Sequence, residues 1–69
     1  MTKQEMKLLQ VNDIVKDLET SRNFDRDVLC KVIEVENDGV ILTSLKDEDK
    51  GGYPHRFLFE TCFSKLELK

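Results

Sequence analysis

Hydrophobic positions gather in the middle of the chain at strand spacing. Val28-Leu29-Cys30-Lys31-Val32-Ile33-Glu34-Val35-Glu36 is rich in β-branched residues and lacks the three-to-four-residue recurrence of a helix face. Val40-Ile41-Leu42-Thr43-Ser44-Leu45 is a second apolar run of strand length. Between them, Asn37 and Asp38 suit the centre of a type I turn, and Gly39 is free to take a left-handed bulge position. Together these residues predict a β-hairpin. Downstream, Arg56-Phe57-Leu58-Phe59-Glu60 predicts a strand with its two phenylalanines on one face. Thr61-Cys62-Phe63-Ser64 then predicts a short turn of 3₁₀ type. Lys65-Leu66-Glu67-Leu68-Lys69 alternates charged and apolar, the pattern of a terminal strand with one wet face.

The first 27 residues admit two readings. Thr2-Lys3-Gln4-Glu5 has the form of a capping box, although residues 1–7 also read as a flexible lead into the domain. Asn12 or Asp13 can cap a helix in which Ile14, Val15 and Leu18 share a face, and a helix near residues 13–21 would make the domain α+β. The β-branched Ile14 and Val15 favour a strand over residues 13–19 instead. Residues 20–27 are then a long polar loop holding one aromatic residue, Phe24. The stretch KDEDKGGYPH, residues 46–55, is a second polar loop: Asp47 to Lys50 form its wet tip, Gly51-Gly52 turn the chain, and Tyr53-Pro54-His55 lead into the next strand.

Read this way, the chain is strand, long loop, strand, tight turn, strand, loop, strand, short turn, strand. That order resembles an SH3-like small β-barrel of the kind found in KOW and Tudor modules. Val11-Asn12-Asp13-Ile14-Val15 is similar to the Val-Gly-Asp-x-Val entry to the first strand of such barrels. Lys31-Val32-Ile33-Glu34-Val35 running to Asp38-Gly39-Val40, and the closing Phe63-Ser64-Lys65-Leu66-Glu67-Leu68, carry the rest of the likeness, over roughly residues 8–68. Asn12 stands where the entry motif has glycine, and asparagine enters the left-handed region more readily than most residues. The second-strand glycine of KOW modules is absent between Ser21 and Asn37. The resemblance implies a mainly β, five-stranded barrel with a 3₁₀ turn before the last strand and a general tendency to bind, without naming a ligand.

At 69 residues the chain is one domain, residues 1–69, with a small core. Its 39% apolar and 36% charged residues are those of an ordinary globular protein. Apolar runs fall well short of the roughly 20 residues of a membrane helix, and the N-terminal segment lacks the apolar region of a secretory signal, so a cytosolic protein is expected. Cys30 and Cys62 are then expected as free thiols. With one histidine and no Cys-x-x-Cys, neither a metal nor another cofactor is expected.

The net charge of -3 weighs against nucleic acid, whose binding rests on neutralising phosphates. The rival reading, a KOW-like nucleic-acid module, requires Lys16, Lys31, Lys46, Arg56 and Lys65 to gather on one face. His55 is the default general base, but catalysis would need Cys30 or Cys62 beside it, and neither is near in sequence. Gly51-Gly52 lacks the spacing of a phosphate-cradling loop, and Asp47, Glu48 and Asp49 lack that of a calcium loop. A non-enzymatic protein is therefore expected.

Binding is better supported, because each long loop pairs an aromatic residue with charges. Arg22, Phe24, Arg26, Tyr53, His55 and Arg56 are the candidate partner contacts. The plainer alternatives are that Phe24 plugs one end of the barrel, Tyr53 packs across the hairpin, and the arginines are solvated. An unpaired sheet edge is a further route to a partner. The expected role is that of a small freestanding partner or a subunit acting on another protein, as adaptor or inhibitor of a larger assembly, for which an origin in a phage or mobile element is a natural setting.

Overall fold

The computed structural model describes residues 1–46 and 54–68. Five strands form one antiparallel sheet: β1 (Ile14–Asp17), β2 (Leu29–Val35), β3 (Gly39–Ser44), β4 (His55–Leu58) and β5 (Leu66–Leu68). Their order in space is β4-β3-β2-β1-β5, a meander whose last strand returns to pair with the first. The sheet curls into a half-barrel, mainly β, with a 3₁₀ turn (Phe63–Lys65) before β5, as expected of an SH3-like barrel. Among the described residues three short helices accompany it: α1 (Lys3–Lys7), α2 (Leu18–Phe24) and α3 (Phe59–Cys62). None of the described helices is long and apolar enough to cross a membrane.

The curl has a local cause. Register between β2 and β3 shifts between Val32 and Glu34, so Ile33 is an extra residue on β2. Such a bulge bends its strand and adds twist. On one side of it β2 pairs with β1, Cys30 opposite Val15; beyond it Val35 lies opposite Val40. Entry into β1 uses Asn12 at φ 81, in the left-handed region, with its N–H donating to Val32 O at 2.8 Å.

Side chains on the inner face build the core. Val15, Val32, Val40 and Leu66 are fully buried, joined by Leu42, Cys30 and Phe59. The N-terminal segment supplies the remainder. Thr2 and Glu5 form a reciprocal capping box around α1, which places Met6 and the following Leu9 in the core, Met6 with no exposed surface. Residues 1–7 are thus packed helix and turn rather than a flexible lead.

Several sequence expectations change in detail. The loop over residues 20–27 is largely helix. Asp17 caps α2 by accepting from Thr20 N–H at 3.1 Å, and Asp25 ends it at φ 50. Arg26 N–H then donates back to Ser21 O at 3.1 Å, and Ser21 Oγ accepts from Val28 N–H at 2.8 Å, which ties the connection to β2. The alternative helix near residues 13–21 is displaced, because β1 occupies its first half and α2 begins only at Leu18. The strand expected over residues 56–60 stops at Leu58, where α3 begins, and Phe59 enters the core from that helix.

Gly39 serves a different purpose from the one its sequence context suggests. Its φ lies outside the left-handed region, and neither Asn37 nor Asp38 has a positive φ. What requires glycine is a close approach: a Cβ here would sit 2.3 Å from the Phe57 carbonyl oxygen. Gly51-Gly52, Tyr53 and the acidic residues Asp47 to Asp49 lie outside the described residues.

Two substitutions test this packing by urea denaturation. Met6→Ala is expected to cost about 2–5 kcal/mol, against less than about 0.5 kcal/mol for the exposed Gln4→Ala on the same helix. Gly39→Ala is expected to cost about 1–3 kcal/mol through the clash with β4.

Candidate functional site

Because the sheet curls without closing, a hollow remains between β4 and the junction of β1 with α2. Leu42 lies opposite His55 and Val40 opposite Phe57, so His55 and Phe57 share the inward face with core residues. The hollow there measures about 600 Å³. Val28, Leu42 and Phe57 supply much of its apolar lining. Phe24 and Arg26 reach it from the β1–β2 connection, and Lys46 and His55 from the two ends of the β3–β4 connection. A shallower depression shares Asp17, Thr20, His55 and Phe57 with it and continues along β4 past Arg56.

Each wall is held by local structure. Asp17 lines the hollow, but both its carboxylate oxygens are engaged by Thr20, one by the backbone N–H at 3.1 Å and one by the hydroxyl at 2.9 Å. Phe24 is the last residue of α2, presented outward by the left-handed Asp25 that follows, and 63% of its surface is exposed. The Arg26 guanidinium lies over its ring at 5.5 Å from the centroid. Phe24 therefore does not plug the barrel; it forms an exposed aromatic platform at the mouth.

Three of the residues singled out from sequence, Phe24, Arg26 and His55, converge on this hollow. Two do not. Arg22 borders a separate depression with Leu18 and Asp25. Arg56 turns to the outer face, where Nε and Nη2 meet the two carboxylate oxygens of Glu36 at 2.9 and 3.2 Å. Tyr53 lies outside the described residues. Sequence reading missed Asp17, Val28 and Phe57 as parts of the site. The Asp17-x-x-Thr20 spacing was the available signal, since it marks a helix start that brings Phe24 to the mouth.

Three lysines away from the hollow's floor are matched by carboxylates: Lys16 with Asp27 at 2.9 Å, Lys65 with Glu19 at 3.5 Å, Lys3 with Glu60 at 2.8 Å. The hydrogen bond from Lys16 to Asp27 holds its ammonium above the ordinary lysine range. Arg26 and Lys46, at the hollow, have no carboxylate partner among the described residues.

Cys30 also lines the hollow, on the same inward face as His55. Burial pushes its thiol up to about 11, so it is protonated and unreactive at neutral pH. Cys62 is half-buried and borders the shallower depression. Among the described residues no hydrogen bond joins His55 to either thiol, and no three His, Cys, Asp or Glu side chains are grouped to hold a metal.

The Cys30 shift has a measurable consequence. The unfolded thiol ionises near 9 and the folded one near 11, so the unfolded chain binds fewer protons between those values. Stability is therefore expected to fall as pH rises from 9 toward 11, and Cys30→Ala should flatten that slope in chemical denaturation. Iodoacetamide at pH 8 is expected to modify Cys62 first and Cys30 only on unfolding. In comparisons with protein-family models, curated proteins and solved structures, none matches this chain.

Proposed function

We propose that this is a non-catalytic, cytosolic binding protein that acts on a protein partner, as adaptor or inhibitor of a larger assembly, through the hollow between α2 and β4. The observation that carries this reading is Phe24: a large aromatic side chain, mostly exposed, held at the rim of a concave apolar surface with Arg26 stacked on it. Aromatic and arginine side chains around a pocket make the strongest protein–protein contacts, because they bring area and directed hydrogen bonds together. The resemblance to KOW and Tudor barrels carries a similar tendency to bind.

Charge favours a protein over a nucleic acid. Of the cations that a KOW-like reading would need, Lys16, Arg56 and Lys65 are each paired with a carboxylate. Those pairs would have to be broken before phosphates could be neutralised, in a chain already carrying a net charge of -3. A nucleophilic role for Cys30 is opposed by the burial that keeps its thiol protonated.

Affinity capture with the native chain and with Phe24→Ser tests the proposal. A partner protein retained by the native chain at physiological salt, and weakened more than about tenfold by the substitution, is the expected result. Equal retention by both chains, or retention only of nucleic acid that fades as salt rises, would contradict it.

A further inference from the structure

Among the described residues β4 ends the sheet, pairing with β3 alone. Which of its backbone groups face outward follows from the ladder. Gly39 O faces the β2 side, where it accepts from Glu36 N–H at 2.8 Å, so alternate residues Val40 and Leu42 turn their backbone groups toward β4. Their partners Phe57 and His55 are therefore the hydrogen-bonded positions, and Phe59 N–H continues the row by donating to Asp38 O at 2.9 Å. Arg56, between them, turns both its N–H and its C=O away from β3. Leu58 turns its N–H the same way.

This free edge runs beside the hollow, because His55 and Phe57 line both the hollow and its shallower continuation. We propose that β4 accepts an extended segment of a partner protein as a sixth strand, paired through Arg56, with an apolar side chain set beside Phe57 and an acidic one beside His55. The proposal rests on the binding reading above and specifies how that site takes its partner. A strand bonded at Arg56 directs its neighbouring residues inward, where Phe57, Val28 and Phe24 offer apolar surface. The acidic residue follows from charge. Lys46 and Arg26 face the hollow without a carboxylate partner among the described residues, Asp17 is already occupied by Thr20, and Glu19, at the shallower end, is paired with Lys65.

The test uses the full chain and a displayed library of random nine-residue peptides as probe. The 69-residue chain is within reach of chemical synthesis, so the Arg56 amide can be replaced by an ester, which removes the outward N–H and leaves every side chain in place. Expected are selected peptides with alternating apolar residues and at least one Asp or Glu. They should slow hydrogen exchange at Arg56, bind the ester chain about tenfold more weakly, and lose affinity to Lys46→Glu. An unchanged amide spectrum of the free ester chain shows that its fold is kept. Peptides that shift Phe24 and His55 resonances but neither protect Arg56 nor sense the ester would overturn strand addition and leave the hollow as the site. Basic peptides would overturn the charge assignment. Selection of no peptide, or of peptides indifferent to Phe24→Ser, would overturn the hollow itself.

Discussion

The extra residue at Ile33 is the constraint on which this fold depends. A flat meander of these strands would leave Val15, Val32 and Leu42 on an open face, with too little chain to cover it. Bending β2 at the bulge curls the sheet, and a small set of side chains on its inner face becomes a core. The close approach of Gly39 to the Phe57 carbonyl belongs to the same geometry, because it lets β4 lie tight against the curled hairpin. The remaining opening is covered from the N-terminal side by Met6 and Leu9.

The curl stops short of closure, and that shortfall produces the candidate site. Where a closed barrel would bury its inner face all round, here the inward side chains of β4 meet α2 across a gap. The capping of α2 by Asp17 and its termination at Asp25 decide what stands at the rim: an aromatic ring with a guanidinium over it. The same residues that end a helix therefore shape the recognition surface. At the hollow, the cationic character of Arg26 and Lys46 is left without a carboxylate partner among the described residues.

Much of the sheet was legible because β-branched runs and short turns speak through local chemistry. The hairpin of β2 and β3, the 3₁₀ turn and the terminal strand follow from the alternation of side chains around Asn37, Phe63 and Leu66. Three features were less legible, each because it depends on partners distant in sequence. The bulge at Ile33 is set by the register with β3, and nothing in a β-branched run distinguishes the extra residue. The burial of Met6 depends on α3 and the 3₁₀ turn, which α1 packs against, so its segment reads as a loose lead. The helix over Leu18–Phe24 was hidden by its polar composition, although Asp17 and Thr20 carry the cap. Of the site, Phe24, Arg26 and His55 could be picked out as chemistry, but only the curl brings them together.

The central claim is that the barrel is open at β4 and presents its edge beside the hollow. Amide hydrogen exchange of the free chain, read residue by residue, tests it most directly. Phe57 N–H, bonded to β3, is predicted to exchange slowly, and Arg56 N–H, one residue away on the same strand, at least about a hundredfold faster. Equal protection of the two would contradict the account, because it would mean that the edge is already covered and the barrel closed.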